Sequence, residues 1–324
     1  LGCQVIATSL ECDVLSFPEQ PIVFHVEQME KNIKCPSCGT LESQAERTVM
    51  DHMVSKEKFS LRSCLECGLL RTEPRPSMKD IGRYYDSPAY LSHTEQASGF
   101  FSKLYNVLRA YNSLGKVRTL ENAVQKKPNI SKLLDVGCGI GVFLEHAKYR
   151  KWNVFGVELN EKARKSAENR LKMSIYEKID DVKNEEKFDA ISLWHVLEHL
   201  SEPNEVLKKL HNHSVPGAAL IIGLPNRESY DANYYQEFWA AYDVPIHFWH
   251  FTKRDVLQLA KSTGWEVETI KPMYLDAFYV SLLSESYKTG RRRWVSAFLL
   301  GLYSNFKGGM TNTSSLIYVL RKAG

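Results

Sequence analysis

The chain has 324 residues, 44% hydrophobic and 25% charged, with 42 Lys and Arg against 38 Asp and Glu for a net charge of +4. This is enough chain for one sizeable core and a smaller companion, and too mild and dispersed a charge to argue for nucleic acid. No run reaches the roughly 18 apolar residues of a membrane span, the first residues lack a signal-peptide pattern, and seven cysteines, four in paired Cys-x-x-Cys, suit a reducing, cytoplasmic setting better than disulfides.

Residues 1–28 show no periodicity, and Pro18 and Pro21 break any helix; a loosely packed extension is expected there, with the natural start near Met29. Cys35-Pro-Ser-Cys38-Gly and Cys64-Leu-Glu-Cys67-Gly follow as two knuckles, each closed by glycine. Four thiolates from two such turns complete a closed tetrahedral shell, so residues 29–76 are expected to form a zinc ribbon with a structural ion. A redox pair or iron–sulfur ligation are the competing uses of the same cysteines. Residues 77–324 are then the second domain. Tyr84, Tyr85 and Tyr90 follow the ribbon, and Phe101, Leu104, Leu108, Tyr111 and Leu114 recur at helical spacing over about 98–125.

The most informative stretch is Leu133-Leu-Asp-Val-Gly-Cys-Gly-Ile-Gly141. A short apolar strand runs into three glycines, which let backbone approach a ligand closely, and a helical pattern begins at Val142. Asn153-Val-Phe-Gly-Val-Glu158 reads as a second strand ending in an acid able to accept hydrogen bonds from ribose hydroxyls. Glu161–Leu171 is the next helix, Ser174–Glu177 a third short strand, and Phe188–Leu193 a fourth, whose end carries Trp194-His195. His195, Glu198 and His199, at i, i+3 and i+4, are expected to share a helical face. Gly217–Pro225 is a buried fifth strand. Trp239–Thr252 is crowded with aromatics and histidines, and Thr252 caps a helix over Lys253–Thr263. Trp265–Ile270 and Ser315–Leu320 are the last two strands, separated by an insertion over about 272–313 with two helices, Ala277–Tyr287 and Trp294–Phe306. Arg291-Arg-Arg293 before Trp294, Phe298 and Leu299 fits a membrane surface or a partner protomer; packing on the sheet is the commoner outcome, and a membrane is not expected.

Asp135, the Asp-x-Gly-x-Gly-x-Gly spacing and Glu158 together resemble the class I S-adenosylmethionine (SAM)-dependent methyltransferases. An NAD-type domain would carry Gly-x-Gly-x-x-Gly instead. The resemblance implies an α/β fold with a Rossmann-like seven-stranded sheet behind the small N-terminal zinc ribbon. It implies a SAM site made by Asp135, Gly137, Cys138, Gly139, Gly141, Glu158 and Leu159, with Ile179 and Asp180 at adenine and Trp194 and His195 at the cleft. Glu198-His199 resembles part of the Glu-x-x-Glu-His motif of quinone-pathway O-methyltransferases, where such a trio can hold a divalent metal; His195 replaces the first Glu here. The ribbon and the tyrosine-rich linker resemble a bacterial subgroup linked to sugar or surface-polysaccharide tailoring. Transfer to a small-molecule acceptor is therefore expected, of a sugar, polysaccharide or secondary-metabolite kind, with His195, His199, His247 or His250 as the base. The rival readings are an RNA methyltransferase gripping its substrate with the ribbon, and a SAM-binding subunit without turnover. Oligomeric state is left open.

Overall fold

A computed structural model describes residues 29–30, 33–77, 80–84, 113–124 and 128–323. The extension 1–28, Tyr85, Tyr90 and most of the helical stretch 98–125 lie outside the described residues. In chain order the strands are β1 (Met29–Glu30), β2 (Ser43–Met50), β3 (Lys58–Cys64), β4 (Leu70–Glu73), β5 (Arg75–Pro76), β6 (Lys132–Val136), β7 (Asn153–Val157), β8 (Phe188–Trp194), β9 (Ser214–Pro225), β10 (Trp249–His250), β11 (Trp265–Pro272) and β12 (Ser315–Lys322). The helices are α1 (113–123), α2 (Val142–Tyr149), α3 (Glu161–Leu171), α4 (Pro203–Asn212), α5 (Tyr230–Tyr235), α6 (Lys253–Ser262), α7 (Tyr274–Thr289) and α8 (Trp294–Gly308).

The main sheet has six strands in the order β11-β12-β9-β8-β6-β7. β7, β6, β8 and β9 are parallel, and β12 enters antiparallel between β9 and β11. β6 and β8 read as continuous apolar runs because helices cover both faces: Leu133, Leu134, Ala190, Ile191 and Leu193 have no exposed surface. The expected seventh strand, Ser174–Glu177, is not formed. Only Tyr176 bridges Val157, through Tyr176 N–H to Gly156 O and Glu158 N–H to Tyr176 O, each 2.9 Å. α3 ends in a left-handed cap at Lys172 and a 3₁₀ turn opens at Ile179, so too little extended chain remains for a ladder. The helix over 253–262 starts where expected: Thr252 accepts from the Asp255 amide while Asp255 accepts from the Thr252 amide, a reciprocal cap.

The four-cysteine unit is a second sheet ordered β10-β4-β3-β2. Its tight knuckles close through Gly39 N–H to Cys35 O (2.8 Å) and Gly68 N–H to Cys64 O (2.9 Å). One sulfur from each cysteine converges within 4.8 Å, with Cys35–Cys67 and Cys38–Cys64 both at 3.4 Å. A tetrahedral ion with bonds of ~2.3 Å would set these edges at about 3.8 Å, so the sulfurs need only part slightly to admit one.

This sheet is not a separate module. Its edge strand β10 comes from the aromatic-histidine segment far along the chain, and pairs antiparallel with β4. Thr72 Oγ1 donates to His247 O at 2.7 Å. Arg75, almost fully buried, lays its guanidinium 4.5 Å over Phe248 and 4.6 Å over Trp249. Stacking of a desolvated guanidinium on two rings is worth about 2 kcal/mol or more, so the seam holds the ribbon to the second domain. Tyr84 belongs to the ribbon side, edge-on to Phe59 and donating to Glu57 at 2.6 Å.

Candidate active site

β6 lies between β7 and β8, so the chain leaving its carboxyl end enters the crevice where the strand order changes direction. That chain is the glycine loop. Gly137, Gly139 and Gly141 all have left-handed φ (69°, 55° and 80°). At Gly137 a Cβ would stand 2.5 Å from Val196 Cγ2, so any other residue would force the loop off the end of β8. Gly137 and Cys138 amides both reach Val157 O, at 2.8 and 3.0 Å, tying the loop to β7.

Glu158 completes the cradle. Its two oxygens accept from the Gly139 amide and the Asn160 amide, both at 2.8 Å. The carboxylate is thus fixed over the loop with lone pairs left for a ligand's hydroxyls. Cys138 is buried, its Sγ 3.0 Å from where a Cβ on Gly156 would lie; it contributes to the loop through its backbone. Leu159 is exposed beside Glu158. Ile179 is half-buried in the 3₁₀ turn beyond the Tyr176 bridge, while Asp180 turns to solvent and pairs with Lys209 at 2.5 Å.

Asp135, on β6, is buried and accepts from Ser192 Oγ at 2.6 Å. Burial pushes its carboxyl up to about 7, against the pull of Ser192 and the Lys116 ammonium. A buried carboxylate so little compensated suits a cationic ligand, which would draw its pKa back down. Trp194 is edge-on to Phe143 at 5.6 Å and has the Lys116 ammonium 4.7 Å from its ring. Its Nε1, also buried, has no acceptor among the described residues.

His195 sits at the mouth of the crevice, a third exposed. Its φ of 57° is a left-handed conformation that costs a non-glycine residue of order 1 kcal/mol and concentrates at functional sites. The kink ends β8 and replaces the expected helical face with a 3₁₀ turn over Leu197–His199, which keeps Glu198 within reach of both His195 and His199. His195 Nε2 lies 3.1 Å from Asp276 Oδ2 and its Nδ1 3.4 Å from Glu198 Oε1. Burial lowers its pKa, but Asp276 and then Glu198 outweigh it and raise the imidazole to about 9. Asp276 comes from α7, in the insertion, and has no motif around it that would have marked it in the sequence. Lys116 of α1, which acts on both Asp135 and Asp276, was equally unmarked.

The other three histidines lie behind this mouth. His199 Nδ1 bonds Ile246 O and His247 Nδ1 bonds Ala241 O, each at 2.9 Å, and the two rings meet edge-on at 4.6 Å. His250 Nε2 lies 2.9 Å from Thr72 Oγ1 in the ribbon seam. Burial lowers all three, His250 to about 3, so they are neutral at pH 7. The group whose ligand atoms converge within 4.8 Å is Glu198, His199 and His247; His195, expected in that trio, has turned to Asp276.

Comparison with known proteins agrees with this geometry. A family profile described as "Methyltransferase domain" matches residues 95–270, more than half of the chain. Among curated relatives, the ubiquinone biosynthesis O-methyltransferase of Pseudomonas syringae pv. tomato is 29% identical over 116 residues, 33% of this chain and 50% of that protein. The mitochondrial enzyme of Saccharomyces cerevisiae with the same description is 34% identical over 114 residues, 32% of this chain and 36% of its own. The chain spans about half the length, or less, of these two relatives. Among solved structures, the magnesium protoporphyrin IX methyltransferase of Synechocystis PCC 6803 with bound SAH matches with a TM-score of 0.50 at 14% identity, over 76% of this chain and 100% of that one. The [4+2]-cyclase SpnF matches at 0.51 and 15%, over 77% and 97%. At such identities the structures speak for the fold alone. The glycine cradle, the parallel sheet and the profile match converge: the chain belongs to the methyltransferase domain family and has the class I methyltransferase fold.

Proposed function

We propose that the protein methylates a hydroxyl oxygen of a small-molecule acceptor and that His195 removes the proton. The observation that carries this reading is the His195–Asp276 pair at the carboxyl end of β8. An imidazole on a left-handed residue, a third exposed and held by a partly buried carboxylate, is what a hydroxyl acceptor needs and an already basic amine does not. The curated relatives, O-methyltransferases by description, are consistent with oxygen as the acceptor atom. The acceptor class we favour is a sugar, surface-polysaccharide or secondary-metabolite intermediate.

The residues of the cradle fit SAM. Glu158 is placed for ribose hydroxyls, Asp135 for the cationic part, and the Gly137–Gly141 backbone for close approach. SAM supplies a methyl group already activated on a sulfonium. The chain therefore has to orient the two reactants, exclude water and hold the proton. His195 takes the hydroxyl proton at one ring nitrogen, and Asp276 stabilises the imidazolium that results. His199, His247 and His250, bonded to backbone carbonyls and to Thr72, position the loop behind Glu198. The four cysteines, closed and remote from the base, are read as a structural zinc site.

Replacing Glu158 or Asp135 by Ala should weaken SAM binding by tenfold or more in calorimetric titration, about 1.4 kcal/mol or greater; unchanged affinity would remove them from the cradle. The pH dependence of kcat/KM gives the sign for the base. Only neutral His195 can accept a proton, so activity should rise with pH through about 9. Asp276→Asn should move that rise downward toward the ordinary imidazole range near 6.5 while lowering the plateau, because the raising carboxylate is gone. A profile with no inflection, or one that Asp276→Asn leaves in place, contradicts the assignment. Elemental analysis should find one zinc per chain. Chelation should lower the melting temperature of the whole chain, since β10 ties the ribbon to the sheet-bearing domain; a chain without zinc, and indifferent to chelator, would argue for reduced or redox-active cysteines.

A further inference from the structure

Helix α8 is built inside out. The residues it buries are small: Ala297, Gly301, Ser304 and Gly308. They let it press against α7 so closely that a Cβ on Gly301 would stand 2.9 Å from Phe278 Cδ1 and 3.0 Å from Ala277 O. The large side chains point the other way. Val295 is 74% and Phe306 80% exposed, and Trp294, Phe298, Leu299, Leu302 and Tyr303 join them. At 100° per residue these seven fall within half of the helix circumference, and all seven stay exposed even though Phe298 stacks on Phe278 at 5.2 Å and Tyr303 meets Tyr230 edge-on at 4.9 Å. A water-facing helix normally does the reverse, burying its bulky stripe, and an apolar patch this continuous marks an interaction surface.

The charges around the patch identify the occupant. From Lys288 to Lys307 the sequence holds Lys288, Arg291, Arg292, Arg293 and Lys307 and no Asp or Glu. The three arginines are exposed, and the contact recorded for them with an acid is Arg293 with Glu285 of α7 at 3.5 Å. In a two-fold dimer the patch would meet its own copy and set cation against cation. An anionic bilayer meets both halves of the surface at once: the apolar face enters the headgroup boundary, and the arginines meet lipid phosphates. Among the described residues no helix is long and apolar enough to cross a membrane; the docking considered is of the α8 face on one leaflet.

We propose that the α7–α8 hairpin docks the protein on an anionic lipid surface through the outer face of α8. The same hairpin carries Asp276 to His195, so the docked face and the candidate base are joined by one rigid pair of helices. The docking itself does not depend on the acceptor or on His195 acting as base.

The test is flotation of the full chain with vesicles of phosphatidylcholine alone and of phosphatidylcholine with phosphatidylglycerol. The fluorescence of Trp294 is followed in parallel; the other five tryptophans are buried, so an emission shift reports this face. The expected result is co-flotation with the anionic vesicles, weakened by salt, with a blue shift. Arg291→Gln with Arg292→Gln should weaken binding by roughly thirtyfold, at about fivefold per charge, and Phe298→Ser with Phe306→Ser should abolish it. All four positions are exposed, so melting temperature and SAM affinity should stay at the parent values, which separates failure to dock from failure of the enzyme reading. A parent chain that ignores anionic vesicles overturns the proposal. If that chain is also a dimer that Phe298→Ser with Phe306→Ser converts to monomer, the face belongs to a second copy.

Discussion

The placement of β6 between β7 and β8 is the constraint on which the rest depends. It puts the end of an almost fully buried strand at the crevice, so the chain must leave through backbone that can turn left-handed three times and that passes Val196 so closely that a Cβ at Gly137 would lie 2.5 Å from it. The loop's geometry in turn positions Glu158, which is held by a loop amide. It also leaves Asp135 buried at the strand end, where only a cationic partner restores its ordinary acidity. Cofactor site and fold are one arrangement of backbone here, with few side chains adding to it.

The acceptor side is made differently, from segments distant in sequence. β8 ends in a left-handed histidine, and the insertion between β11 and β12 returns Asp276 to meet it. Behind them the aromatic-histidine segment is clamped under the ribbon by β10, Thr72 and the stacked Arg75. The four-cysteine sheet therefore braces the wall of the cleft, and the cation proposed for it would bear on the site through that brace alone.

The fold of the candidate cofactor half is legible in the sequence because its determinants are local. Glycines that must be glycine, an apolar strand before them and an acid at the end of the next strand are contiguous signals, as are the paired Cys-x-x-Cys and the Thr252–Asp255 cap. The acceptor half was not legible, because it rests on long-range pairing. Regular i, i+3, i+4 spacing points to His195, Glu198 and His199 on one helix, but a single left-handed residue replaces that helix by one turn and brings His195 to Asp276 as well as to Glu198. His247 and His250 stand among aromatics, and the sequence does not show that both are buried, with pKa values lowered by that burial. Asp276 carried no pattern at all. The seventh strand failed for a local reason: the short stretch between the helix cap at Lys172 and the 3₁₀ turn at Ile179 makes one bridge and no ladder.

Whether this cleft moves a methyl group onto the oxygen of a small molecule can be read by supplying carbon-13 methyl-labelled SAM to the full chain. Two acceptor pools would be offered, a small-molecule glycan and metabolite fraction and undermethylated total RNA, and the chemical shift of the transferred methyl would be read by NMR. The account predicts label in the small-molecule pool at an O-methyl shift. Label in RNA, label on nitrogen or carbon, or bound SAM with no transfer to either pool would contradict it.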